Sequence, residues 1–211
     1  MGSLSTLLTL ADSRLPTGGH VHSGGVEEAV TSRLVVDLAT LDAYLRRRIR
    51  TSGLVAASMA ASVHRGDLTV AAADAETDAR TPAPAARQAS RAQGRGLLRL
   101  ARRVWPTENW ADLGNRPHLA VVAGRVGPAS GLTPEQTALS MVYTTMTGTA
   151  TAAQRLLALD PADVAALTFG LAQLCETTAS KAAEGLADLS DPLLDELAQR
   201  HGERDRPLFA S

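Results

Sequence analysis

Residues able to do chemistry crowd one short stretch near the N-terminus, "ADSRLPTGGHVHSGG", which holds Asp12, Ser13, His20, His22 and Ser23 among four glycines. His20 and His22 stand one residue apart, and imidazole suits nickel or zinc. No CxxC, no HExxH and no carboxylate within the loop completes a site. No metal site is therefore expected, and His20 and His22 are the metal candidates. Ser13 or Ser23 with the histidines and Asp12 spells out a serine–histidine–aspartate set. The GxSxG turn between a strand and a helix that would expose such a nucleophile is missing. A P-loop needs GxxxxGK[ST], whereas the only lysine, Lys181, follows no glycine loop. "GGHVHSGG" likewise has neither the preceding strand nor the spacing of a dinucleotide fold, so nucleotide binding by either route is excluded.

Arginine supplies the second chemical pattern. Arg87, Arg91, Arg95 and Arg99 recur every fourth residue, Arg102 and Arg103 follow, and no acid stands between Asp78 and Glu108. On a helix this spacing predicts one basic ridge, either a solvated face or a surface for an acidic partner. "RRRIR", 46–50, reads as a solvated helix face. A regulator that binds nucleic acid through the arginine helix, and a hydrolase built on the Ser/His loop, stay open as alternatives. The formal net charge of −1 and the 3% of aromatic residues speak against the first.

Helices must position these residues. In 211 residues, 45% hydrophobic but poor in aromatics, alanine, leucine and threonine dominate, and such small side chains favour close helix packing over a sandwich. Leu4, Leu7, Leu8 and Ala11 mark a first helix that stops before Pro16, and Ser23 is placed to cap a second. A stripe of Leu41, Leu45 and Ile49 starts near Thr40, Gly53 breaks it before a helix over 54–64, and Asp67 caps the next. "TPAP" is a linker that leads into a helix over 84–104 with Pro84 at its first position. Residues 105–117 read as irregular with one short helical turn, and "HLAVVAGRVG", 118–127, as helix. "TPEQ", 133–136, is a capping box opening a long helix to about residue 159, and "DPAD" starts another that runs to about Lys181.

The expectation is a single all-α domain over 1–211, a bundle of about eight to ten helices with no β-sheet. Within it 191–211 forms a C-terminal helix and a polar tail with little to hold it in the core, open to flexibility and ending in the apolar pair Leu208–Phe209. That reading predicts that a chain ending before Gln199 still folds. Cys175 is the only cysteine, there is no signal-peptide pattern, and no run reaches about eighteen apolar residues, so a soluble cytoplasmic protein without membrane contact is expected.

Taken together, these residues resemble the UreF family of urease accessory proteins. "LLTLADSRLPTGGHVHSGGVEEAV" is similar to the family's N-terminal signature, and "ARQASRAQGRGLLRLAR" to its central arginine, serine and glycine segment. "RPHLAVVAGRVG" resembles the family's histidine-led helix, and "TATAAQRLLALDPAD" its alanine-rich run. His20 departs from the aromatic residue usual after the first glycine pair; the region from Ala162 and the ending "RPLFAS" follow the pattern loosely. The resemblance implies an all-helical, often dimeric, non-catalytic scaffold that binds UreD (also called UreH), recruits the GTPase UreG, and serves nickel insertion into apo-urease. Nickel and GTP would be handled by the complex, with no cofactor on this chain, no nucleic acid and no membrane. Gly18, Gly19, His20, His22, Arg91, Arg95, Leu208 and Phe209 are the candidate partner-binding residues.

Overall fold

Thr133, Pro134 and Gln136 start the longest helix as the sequence predicts: the Thr133 hydroxyl accepts the Gln136 N–H, and the Gln136 side chain accepts the Thr133 N–H. In the computed structural model, which describes residues 4–12, 14–17, 22–189, 191–204 and 208–209, this helix is α8, Pro134–Leu157. Before it in chain order come α1 (Leu4–Leu10), α2 (Val26–Thr31), α3 (Leu38–Arg48), α4 (Leu54–Arg65), α5 (Val70–Ala79), α6 (Pro84–Val104) and α7 (Leu119–Ala129). After it come α9 (Pro161–Gly170), α10 (Ala172–Glu184) and α11 (Pro192–Gly202). No strand or sheet occurs among the described residues, as the composition predicts.

The core lies where α4 packs against α7, α8 and α10, with α6 on α7 and α11 on α2 and α6. Met59, Val121, Val122, Met146, Leu171 and the buried alanines of α4 and α8 fill it. Small residues let the helices come close, which accounts for a stable core with so few rings. Cys175 lies inside, its thiol 3.6 Å from the Met146 sulfur, and burial pushes its pKa up to about 11. An inert, structural thiol results.

Several boundaries differ from the sequence reading. Gly53 does not break the chain: Ile49–Gly53 is a wider turn that carries α3 into α4 without interruption. Asp37 caps α3, in a box with Thr40, and Thr69 rather than Asp67 caps α5. In each case the capping side chain stands three residues before the amide it accepts, which the apolar stripe cannot locate. The helix expected over 160–181 is two, split at Leu171, which is fully buried. Gly170 weakens the helix there, so α9 stays on the surface while α10 turns inward.

Two helical glycines make opposite predictions. A Cβ on Gly94 of α6 would lie 2.1 Å from the Pro117 carbonyl oxygen, whereas one on Gly148 of α8 meets nothing within 4 Å. Gly94→Ala should destabilise the fold by about 1–3 kcal/mol or more through overpacking. Gly148→Ala should stabilise it by up to about 1 kcal/mol through helix propensity. Thermal denaturation of the two variants checks both signs.

Candidate partner-docking site

The second glycine pair of the N-terminal motif shapes the entry to α2. Gly24 and Gly25 take φ of +61° and +84°, a left-handed region that side-chain-bearing residues rarely adopt, and Gly25 rather than Ser23 precedes the helix. Tyr44 and Arg48 of α3 both donate to the Gly24 carbonyl, at 3.1 and 2.7 Å. The turn directs Glu27 inward, where its side chain is 3% exposed.

Both oxygens of Glu27 meet the C-terminal segment. His201 of α11 bonds Oε2 at 2.7 Å, and the backbone N–H groups of Leu208 and Phe209 donate to Oε1 and Oε2 at 2.9 and 3.0 Å. Arg204 adds an ion pair with Glu28 at 2.9 Å. Burial works against the Glu27 charge, but the Leu208 amide, His201 and the Phe209 amide outweigh it and hold the carboxyl below its ordinary range. At the other end of α11, Asp191 caps the helix and accepts a two-pronged bond from Arg47, at 2.7 and 2.6 Å. "RRRIR" is therefore no plain solvated face: Arg46 pairs with Asp42, Arg47 holds α11, and Arg48 holds the glycine turn. The expectation that residues from Gln199 onward are dispensable for folding gives way, because removing His201 would leave Glu27 buried without its partners.

A second polar cluster joins α5, α6 and the start of α7. Arg91 reaches Asp74 and Asp78, each at 2.8 Å, and also donates to the Arg116 carbonyl. His118 is fully buried, with Nε2 2.9 Å from Asp78 and Nδ1 3.0 Å from the Ser90 hydroxyl. Burial lowers the His118 pKa, so the ring is neutral at neutral pH. Its Nε2–H then donates to Asp78, and Nδ1 accepts from Ser90. Asp78 is lowered despite its burial by His118 and Arg91. This run of hydrogen bonds has the order of a catalytic triad, built from residues remote in sequence from the loop where the sequence suggested one. Yet Ser90 lies within a helix, and its oxygen also accepts the Leu119 N–H at 3.3 Å. The arrangement joins helices. Asp74, Asp78 and His118 also form the one group among the described residues with spacing to hold a metal, but the Arg91 guanidinium already sits on both carboxylates.

The candidate residues are thus dispersed. Gly18, Gly19, His20 and Ser13 lie outside the described residues. His22 is partly buried and, with Phe209, borders a cavity of about 370 Å³ that also touches Ser90 and α8. Thr144, Thr145 and Thr149 there bond back to carbonyls of their own helix. Leu208 is 79% exposed, while Phe209 packs on the core's edge. Arg91 is enclosed in ion pairs, so it does not belong to an exposed ridge; Arg95 is exposed. Sequence reasoning missed Glu27, Asp74, Asp78, Ser90, His118 and His201. The spacing of Asp74 and Asp78, one helical turn apart opposite an acid-free arginine row, was the available signal for one part of this set.

These observations define an all-α protein whose buried polar groups tie helices and chain ends together. The family model for UreF matches residues 35–172. Over the full length of both chains, the sequence is 77% identical to the urease accessory protein UreF of Mycobacterium sp. (strain JLS) and 76% identical to that of Mycolicibacterium vanbaalenii. It is 71% identical, again over both full lengths, to that of Mycobacterium tuberculosis (strain ATCC 25177 / H37Ra). The chain belongs to the UreF family of urease accessory proteins.

The tail contact is pH-dependent with a definite sign. A carboxyl held below its unfolded value of 4.5 adds stability above that value and loses it as pH falls through the folded one. The amide resonances of Leu208 and Phe209 should titrate with a midpoint below 4.5, and Glu27→Gln should abolish that transition. A midpoint at or above the ordinary value would refute the assignment. Separately, Arg91→Glu should cost about 2–4 kcal/mol by setting a carboxylate against Asp74 and Asp78, measured by urea unfolding.

Proposed function

We propose that this chain acts in maturation of the urease metallocentre as a scaffold without chemistry of its own. With UreD/UreH it recruits the GTPase UreG to apo-urease, so that nickel is inserted; nickel and GTP are handled by the complex, and the chain works as a homodimer in the cytoplasm. The observation that carries this reading is identity of 71–77% over the whole length to urease accessory proteins UreF. Two features agree with it. The polar clusters that could be mistaken for a metal site or a triad are engaged in joining helices. No helix among the described residues is long and apolar enough to cross a membrane.

The test is co-expression with urease and its other accessory proteins. Deleting this chain should leave urease with little nickel and little activity, and the tagged chain should co-purify UreD and UreG. Urease that loads nickel fully without it would overturn the proposal. Ser90→Ala should leave urease activation intact, whereas loss of activation from a folded Ser90→Ala protein would argue for chemistry at that serine.

A further inference from the structure

The arginines of α6 divide into two groups. A residue step turns about 100° around a helix, so a row at every fourth position drifts by about 40° per step. From Arg87 to Arg103 the drift sums to about 160°, which moves the row from the edge of the buried face to the open side. Arg87 bonds the Thr81 and Pro82 carbonyls, and Arg91 holds Asp74 and Asp78. Arg95, Arg99, Arg102 and Arg103 are exposed and make no ion pair or side-chain hydrogen bond among the described residues. They occupy an arc of about 100° over about 12 Å of helix.

This exposed group adjoins the N-terminal motif. A Cβ on Gly96 would stand 2.8 Å from the Thr17 Cα and 3.0 Å from the Pro16 carbonyl oxygen, so α6 lies directly against that segment. Pro16 itself is exposed. The cationic face and the bend of the motif therefore form one continuous surface.

We infer that the face of α6 formed by Arg95, Arg99, Arg102 and Arg103, with the adjacent Pro16–Thr17 segment, docks a carboxylate-rich surface of a partner protein. Guanidinium groups offer planar forks that match carboxylates two bonds at a time. The chain holds 22 acidic residues against 21 basic ones, yet among the described residues no acid pairs with these four. A duplex nucleic acid fits less well: four cations on a short arc of a chain with net charge −1 give little field over a phosphate backbone, and no aromatic residue stands between Arg95 and Arg103 for stacking. The inference rests on the proposed role only for the identity of the partners.

The experiment measures assembly of the full chain with purified UreD/UreH and UreG, and with a poly-glutamate peptide as a bare chemical probe. If the wild type assembles with neither protein, the proposed function fails, whatever the arginines do. Given assembly, Arg95→Glu/Arg99→Glu should weaken it at least tenfold with an unchanged melting temperature, and Arg95→Lys/Arg99→Lys should retain most of it. Wild-type binding to the peptide should also fall as NaCl rises from about 50 to 200 mM, a reading that needs no variant. Equal binding by the charge-reversed protein, or wild-type binding indifferent to salt, would overturn the inference. So would tighter binding to a 20-base-pair duplex than to the proteins.

Discussion

A buried carboxylate is unstable inside a protein unless its lone pairs are met, and Glu27 meets that demand with groups from the far end of the chain. Its position depends on Gly24 and Gly25, which turn the chain left-handed just before α2. The turn depends in its turn on Tyr44 and Arg48, which hold the Gly24 carbonyl. The residue before Arg48 in α3, Arg47, reaches Asp191 and fixes the start of α11, whose other end returns His201 to Glu27. The contacts close a circuit. Within it the two buried carboxylates, Glu27 and Asp191, both find partners, whereas the buried Nε of Arg48 has none among the described residues.

The N-terminal motif draws chemical attention because glycines, histidines and serines suggest catalysis or metal. Its observed role in the described part is geometric: it bends the chain so that one acid enters the core and receives the C-terminal segment. Buried carboxylates such as Glu27 and Asp191 are met by partners from distant helices, which helps a protein lacking large side chains specify one arrangement of many small helices. The cluster of Asp74, Asp78, Arg91, Ser90 and His118 does the same for α5, α6 and α7.

Local signals were legible in the sequence. The capping box at 133–136, Pro84 at the first position of α6 and the helix after His118 each depend on residues within one turn, so the boundaries follow from neighbours alone. Illegible were the pairings across long separations. Glu27 and His201 stand 174 residues apart, and nothing local to "VEEAV" says which glutamate faces inward. The arginine row shows the intermediate case. Its spacing implied one basic ridge, but a fourfold repeat outruns the helical period, and without the position of α5 the turning point between paired and exposed members stays hidden.

That turning point also separates two kinds of work on a single helix. Arg91 meets fixed carboxylates at set distances, so its charge belongs to folding. One turn later Arg95 is exposed and meets no carboxylate among the described residues. Gly96 packs directly against the Pro16–Thr17 segment, so the exposed arginines and the N-terminal motif lie side by side. The motif is bound through Gly24 to α3, and Glu27 two residues beyond its last glycine to the C-terminal segment.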